Sequence, residues 1–112
     1  MYFYKQDDKV VFSASPMTGV EALTPNTTDG AYEKHVPVIE QHGNNVTVKV
    51  GSAEHPMLDV HYIEWIILET AAGFQKKELK PGQKPEAGFT VTGPVIAAYE
   101  YCNLHGLWKA EA

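Results

Sequence analysis

A succession of short β-rich runs, separated by glycine and proline turns, constrains the fold of this chain more than any other feature. The most pronounced run, residues 60–70, is rich in β-branched and aromatic residues and predicts a central strand. Residues 46–50 alternate valines with Thr47 and Lys49, which predicts a half-buried antiparallel strand. No stretch shows a helical period. The sequence therefore predicts an all-β, immunoglobulin-like antiparallel β-sandwich.

Weaker runs on either side complete the predicted sandwich. A strand is expected at residues 35–39, where Pro37 lacks a ladder donor and confines the strand to a sheet edge. His61 is expected to open the central strand and Cys102 to close the last one, so that the two strand ends meet at one rim. Residues 13–30 are turn-rich and read as a connection. Further strands are expected at residues 2–5, 9–12, 74–79, 88–92 and 95–102.

Composition and charge exclude several classes of protein. A chain of 112 residues with 44% hydrophobic residues fits one ordinary globular unit. Nine basic and 14 acidic side chains give a net charge of -5, which argues against nucleic acid as a partner, because phosphates require a basic surface. The aliphatic run at residues 66–68 is too short for a bilayer, and acids near the N-terminus precede any apolar signal region. We expect neither a nucleic-acid nor a membrane partner.

The only cysteine suggests a metal site. Cys102 and His105 are three residues apart, and a thiolate and an imidazole at this spacing can turn toward one ion where the backbone bends. Such a pair is a weak signal by itself, because a free cysteine usually packs in the core. His35, His55 and His61 lie beside predicted strand ends and strengthen the hypothesis. A lone cysteine cannot close an intramolecular disulfide, which favours a reducing compartment, the cytoplasm by default.

Four motifs in the second part of the chain resemble the superoxide reductase family, the desulfoferrodoxins and neelaredoxins. In chain order they are EKHVPVIE at residues 33–40, VGSAEHPM at 50–57, HYIEWI at 61–66 and YCNLHGLW at 101–108. The likeness extends from about Tyr32 to Trp108. The resemblance implies an enzyme that reduces superoxide to hydrogen peroxide at one iron ion per chain, cycling between Fe2+ and Fe3+. It also implies a rubredoxin-like electron donor and a homo-oligomer, either a dimer or a tetramer.

The resemblance also implies which residues form the site. In the family, the iron is held by four equatorial histidines and one axial cysteine. The matching residues are His35, His55, His61, His105 and Cys102. In the family, the glutamate and lysine before the first histidine ride on a mobile loop over the open face of the iron, and the matching residues would be Glu33 and Lys34.

The donor set favours the same chemistry by itself. Five nitrogen and sulfur donors exceed the four that zinc prefers, and a thiolate opposite a vacant position suits ferrous iron. The thiolate pushes electron density toward a small oxygen species, as it does in haem–thiolate enzymes. Because the net charge of -5 repels superoxide, Lys34 is a candidate for attracting the anion. Two roles are open for Glu33: a solvent-facing acid, or a group that closes the sixth position of oxidised iron.

The N-terminal residues differ from those of larger family members, in which a small domain holds a second iron with four cysteines. None of those cysteines is present, and Gln6 and Lys9 stand at the spacing of a Cys-x-x-Cys pair. We expect residues 1–30 to be a metal-free remnant of a desulforedoxin-like N-terminal segment. Residues 31–112 would form the catalytic iron-binding β-sandwich domain, so that no second iron relays electrons within the chain.

Two other functional classes remain open. A cupredoxin-like electron carrier also combines an upstream histidine with Cys-x-x-His, but no methionine follows His105 as a weak axial ligand, and three further histidines stay unexplained. A non-catalytic adhesion or interaction sandwich would make the histidine placement accidental. His42 belongs to no motif and is expected at the surface, whereas Met57, Trp65 and Trp108 are expected to serve packing.

Overall fold

The computed structural model describes all residues, 1–112, and its regular secondary structure is almost entirely β-strand. One sheet has the order β10-β9-β6-β7, the second β4-β5-β8 and the third β2-β1-β3, and all pairs are antiparallel. The one helix, α1, covers Tyr32–His35. The strands are β1 (Tyr2–Gln6), β2 (Lys9–Ser13), β3 (Glu21–Leu23), β4 (Pro37–His42), β5 (Asn45–Val50), β6 (Ile63–Thr70), β7 (Gly73–Glu78), β8 (Glu86–Thr90), β9 (Val95–Cys102) and β10 (Gly106–Glu111). No helical segment has the length and apolar character that a membrane crossing requires.

A buried apolar cluster joins the four-stranded sheet to the β4-β5-β8 sheet. On β5, the alternation predicted from the sequence is observed, with Val46, Val48 and Val50 all buried in this cluster. On the opposing sheet, Ile66 and Leu68 of β6 belong to the same cluster and are fully buried. Two sheets packed face to face in this way confirm the predicted all-β antiparallel sandwich.

The outer face of the four-stranded sheet is covered by the N-terminal sheet. The ring of Phe3 in β1 lies 5.8 Å from that of Trp65 and 4.7 Å from that of Tyr99, measured between centroids. Ile67 and Leu107 are buried in the same cluster. Strands β6 and β9 are therefore buried on both faces, which accounts for the continuous apolar run of β6. The strands predicted at residues 2–5 and 9–12 are observed as β1 and β2, which pair as a hairpin. The division into a 1–30 remnant and a 31–112 domain stays a prediction.

The prediction that His35 begins a strand was wrong. His35 ends the four-residue helix α1, and Val36 turns to an extended conformation with φ -67° and ψ 122°. The helix ends before Val36 because Pro37 disfavours helical geometry in the residue that precedes it. Pro37 begins β4, which lies at the edge of its sheet, as the missing backbone donor predicts.

The central strand begins later than the apolar run suggests. β6 starts at Ile63, and His61 lies two residues before it in an isolated bridge with Leu58. A register shift between Ile63 and Trp65 also changes the faces. Simple alternation predicts Ile63 on the face of Trp65, but Ile63 lies with Ile66 in the cluster between the two sheets of the sandwich.

Two strands were missed by the sequence prediction. β3 has only three residues inside the turn-rich segment 13–30, where no alternation can be recognised. β10 follows the cysteine motif and pairs back on β9, beginning with Gly106 opposite Cys102. Gly106 has a φ of 77°, a conformation that glycine adopts without steric cost and that makes this tight return possible. Cys102 does close β9, as predicted.

Candidate metal centre

Four histidines and one cysteine come together at one end of the sandwich. One donor atom from each lies within 4.8 Å of every other donor, and these residues are His35, His55, His61, Cys102 and His105. The structure thus brings together all five residues that the family resemblance implies, from helix α1, two loops, the end of β9 and the following turn. The fifth histidine of the chain, His42, is exposed at the end of β4 and lies outside the group.

Backbone carbonyls fix the orientation of two of the rings. The Nδ1 atom of His35 lies 2.7 Å from the carbonyl oxygen of Ala31, and that of His55 lies 2.6 Å from the carbonyl oxygen of Pro56. Because a carbonyl only accepts, each Nδ1 carries the proton and each Nε2 keeps its lone pair. The two Nε2 atoms are 3.2 Å apart, and that of His35 is 3.0 Å from Nδ1 of His105. The donor lone pairs therefore converge on one volume.

The two remaining donors indicate what this volume would hold. The Nε2 atom of His61 is buried and has no hydrogen-bond partner. The Sγ atom of Cys102, a residue with no exposed surface, lies 3.5 Å from Nε2 of His55. A buried polar atom without a partner costs free energy unless something satisfies it. A transition-metal ion would satisfy all five nitrogen and sulfur donors at once, so the residues fit a metal ion.

Burial shifts the pKa values of the donors in opposite directions, downward for histidines and upward for the cysteine. Burial above all, together with repulsion from the neighbouring histidine rings, lowers the pKa of His55 to about 4. The pKa values of His35 and His61 are also lowered, first of all by burial. Neutral imidazole is the metal-binding form, so these histidines stay competent near neutral pH. Burial raises the pKa of the Cys102 thiol, which therefore keeps its proton until a cation binds.

This contrast predicts a proton release when the metal binds. At pH 8, uptake of cobalt(II) by the wild-type protein should release about one proton per ion more than uptake by Cys102→Ser, because only the thiol must ionise. A pH indicator in weakly buffered solution measures the difference. Equal release by the two proteins would contradict a protonated thiol in the metal-free state.

Trp108 closes one flank of the centre, as the sequence suggests. Its ring is fully buried and stacks on His35 with a centroid distance of 4.9 Å and an interplanar angle of 28°. Its Nε1 atom donates a hydrogen bond of 2.9 Å to the carbonyl oxygen of His105. Tyr32 packs edge-on against the other side of the indole at 5.2 Å. One aromatic side chain thereby positions two of the five donors.

The helical turn that carries the first histidine is fastened to the loop that carries the second. The carbonyl oxygen of Glu33 accepts hydrogen bonds from the backbone N–H of Ala53, at 2.8 Å, and from the hydroxyl of Ser52, at 3.3 Å. A β-carbon placed on Gly51 would lie 2.6 Å from this same oxygen. Only glycine allows the two segments to approach so closely.

Replacing Gly51 with alanine should therefore push the turn away from the loop and loosen the centre. We expect Gly51→Ala to weaken metal binding by about tenfold, as is typical when the support of a ligand is disturbed. Competition with a chelator measures this affinity. Gly88→Ala is the matched control, because an added β-carbon there meets nothing within 4 Å. Equal affinities in the two variants would contradict a role for the close approach.

One polar group of the site region was missed by the sequence prediction. Glu100 lies two residues before Cys102 on β9, is completely buried, and has no hydrogen-bond partner on either carboxyl oxygen. Burial raises the pKa of Glu100 well above its ordinary value, so the side chain holds a proton at neutral pH. The period of two along a strand places it on the same face as Cys102. An acid within the otherwise uncharged run of residues 95–102 was the available signal.

The fold and the site together define an all-β protein with a five-donor group of imidazoles and one thiol that could hold a metal ion. The family model described as Desulfoferrodoxin matches residues 27–111, and the chain belongs to the desulfoferrodoxin family.

Individual relatives extend this result. The desulfoferrodoxin homolog of Archaeoglobus fulgidus is 49% identical over 102 residues, which cover 91% of this chain and 79% of the relative. The desulfoferrodoxin of Nitratidesulfovibrio vulgaris is 53% identical over 93 residues, covering 83% of this chain and 74% of the relative. The crystal structure of the superoxide reductase from Treponema pallidum matches with a TM-score of 0.88 and 39% identity over 99% of both chains. That likeness therefore includes the N-terminal sheet.

Proposed function

We propose that this chain is a superoxide reductase, which transfers one electron to superoxide and, with two protons from solvent, yields hydrogen peroxide. The observation that carries the proposal is the convergence of four histidines and one cysteine within 4.8 Å. Membership of the desulfoferrodoxin family and the likeness to the superoxide reductase from Treponema pallidum support it. One iron ion held by these donors would supply the electron by alternating between Fe2+ and Fe3+. No observation favours the copper-carrier alternative.

Each donor has a proposed role in that centre. Four imidazoles, from His35, His55, His61 and His105, would hold the ion as neutral ligands, with two of the rings oriented by backbone carbonyls. Cys102 would supply the thiolate from inside the sandwich, where burial excludes water from the sulfur. A thiolate donates more charge than a neutral ligand and therefore favours electron transfer toward the substrate.

Lys34 and Glu33 are proposed to act on the substrate side. Both side chains are exposed on helix α1, next to His35. The positive charge of Lys34 contributes to the lowered pKa of His61, after burial and His105, so its field acts at the centre. A local cation is useful in a chain with a net charge of -5, because superoxide is itself an anion. Glu33 is proposed to occupy the sixth position of the oxidised ion.

Removing the Lys34 charge should slow the encounter with superoxide without disturbing the ion. We expect Lys34→Ala to lower the second-order rate constant about tenfold and to flatten its dependence on ionic strength. Pulse radiolysis measures both, and the spectrum of the iron should stay the same. Lys5→Ala removes an equal charge from the N-terminal sheet and should leave the rate nearly unchanged. Glu33→Ala should instead alter the spectrum of the ferric form. If Glu33→Ala slowed the encounter with superoxide and Lys34→Ala did not, the proposed roles of the two residues would be contradicted.

Electrons must reach the centre from outside under this proposal. The described residues offer one cluster of metal-binding side chains, and Cys102 is the only cysteine. We propose a rubredoxin-like protein as the donor. A homo-oligomeric state, dimer or tetramer, and a cytoplasmic location stay predictions.

Anaerobic reconstitution with iron followed by a pulse of superoxide tests the function. The protein should consume about one superoxide per iron, yield hydrogen peroxide and then stop, until a reductase and a rubredoxin-type carrier restore turnover. Repeated removal of superoxide without a donor, accompanied by oxygen evolution, would identify a dismutase and overturn the proposal. An intense blue band after addition of copper, with no activity of the iron form, would favour the electron-carrier alternative.

A further inference from the structure

Three aliphatic side chains are exposed together beside the metal centre. They are Leu58, Val60 and Leu104, with exposed fractions of 59%, 74% and 58%, and we name them the aliphatic patch. Exposed leucines and valines occur singly on most proteins, but neighbouring ones at a functional site indicate an interaction surface.

The patch spans two loops that one side chain locks together. Asn103 donates from Nδ2 to the carbonyl oxygen of Val60, at 3.0 Å, and accepts at Oδ1 from the N–H of Tyr62, at 2.9 Å. Its own backbone N–H donates to the carbonyl oxygen of Tyr62 at 3.2 Å. Leu104 follows Asn103 directly, so these bonds hold its loop against the one that carries Val60. The patch is thus a fixed feature and needs little ordering on contact.

The same two loops carry three of the five donors. Val60 precedes His61, and Leu58 exchanges two backbone hydrogen bonds with His61, at 2.8 and 3.1 Å. Leu104 lies between Cys102 and His105 in the chain. Because Cys102 has no exposed surface, an electron can reach its sulfur only through protein atoms. The loops under the aliphatic patch provide that path over a few bonded residues.

We propose that the aliphatic patch is the docking surface for a one-electron carrier protein. This inference rests on the proposed function, which requires an external donor. In the transfer, the metal of the carrier loses one electron and the ferric ion of the centre gains it, with no bond made or broken. Superoxide itself is a small hydrated anion and would not bind favourably to aliphatic side chains.

The small size of the patch favours a transient protein partner over a stable contact with a second copy of this chain. Three aliphatic side chains offer on the order of 300 Å2 of apolar surface. A stable complex buries about 1,200–2,000 Å2, whereas weak redox encounters use smaller interfaces. Asp59 is the one charged side chain within the residue 58–61 loop, so the loop that carries most of the patch is largely uncharged.

Polar substitutions within the patch test the docking surface. We expect Val60→Ser and Leu104→Ser each to lower, by about tenfold, the second-order rate at which a reduced rubredoxin reduces the ferric protein. Ile96→Ser is the matched control, because Ile96 is 47% exposed near the start of β9, six residues from Cys102, and should stay within about twofold of wild type. Stopped-flow absorbance follows the ferric band in each case.

Two further measurements separate docking from the proposed chemistry. Reduction by ascorbate and oxidation by superoxide should be unchanged in all three variants, so a failure of the superoxide reaction would be seen independently of the docking result. In solution NMR, adding the wild-type iron protein should broaden the resonances of 15N-labelled zinc-substituted rubredoxin. Leu104→Ser should reduce this broadening, and Ile96→Ser should not.

Other outcomes would overturn the inference. Undiminished broadening and an unchanged carrier rate with Leu104→Ser would exclude the patch as the docking site. Dissociation of an oligomer of the wild-type protein on the same substitution would assign the patch to contacts between copies.

Discussion

Replacing Cys102 with serine should abolish the thiolate-to-ferric charge-transfer band and lower superoxide reduction by about 100-fold or more. The sulfur is buried among the imidazoles, and a hydroxyl in its place neither ionises near neutral pH nor donates comparable charge. Visible spectroscopy of the oxidised protein reports the band, and pulse radiolysis reports the rate. The four histidines remain, so the variant should still take up a divalent ion.

His42→Ala provides the comparison for this result. His42 is exposed at the end of β4 and lies outside the cluster of donors. Its loss should change neither the iron content nor the rate. A serine variant at position 102 that keeps the band, or a marked loss of iron from the His42 variant, would show that the donors are assigned wrongly.

Truncating Trp108 should cost both stability and iron affinity. The indole is fully buried, so Trp108→Ala should lower the free energy of unfolding by about 3–5 kcal/mol. It should also release the ring of His35, which stacks on the indole, and leave the carbonyl oxygen of His105 without its donor. Denaturant unfolding of the metal-free protein measures the first effect, and chelator competition the second.

Trp65→Ala is the control that separates the loss of stability from the loss of iron affinity expected for Trp108→Ala. Trp65 is buried against Phe3 in the cluster under the N-terminal sheet, on the face of the four-stranded sheet opposite Cys102. Its truncation should destabilise the fold to a similar degree while leaving the iron affinity nearly unchanged. Equal losses of affinity in both tryptophan variants would mean that general loosening, and not the contact with His35, governs binding.

The strands were predictable where one side-chain pattern decided them. Val46, Val48 and Val50 alternate with polar residues, and β5 follows that pattern. On β6, alternation correctly separates Trp65 and Ile67 from Ile66 and Leu68. Only the face of Ile63 was not predictable, because a bulge beside it shifts the register and no local signal in the sequence marks it. Helix α1 was hidden for a different reason: four residues are too few to show a period.

The five donors of the site were predictable because each lies in a motif of the family. Their supports were not, since these are contacts between segments far apart in the chain. In the sequence, Gly51 looks like an ordinary turn glycine. Only the structure shows that a β-carbon at this position would collide with the backbone of Glu33. Glu100 was missed likewise: the sequence shows only an acid in an apolar run, and its complete burial depends on the neighbouring strands.

The N-terminal sheet contains no cysteine to bind a metal, but it covers one face of the four-stranded sheet. Phe3 and its neighbours cover the apolar side of β6 and β9, so deleting the sheet would expose Trp65 and Tyr99 to water. If residues 1–30 descend from an iron-binding segment, as expected from the sequence, the metal ligands would have been lost while the covering sheet was retained. Under that descent, the segment would persist as a structural cover for the sheet beneath it after losing its metal.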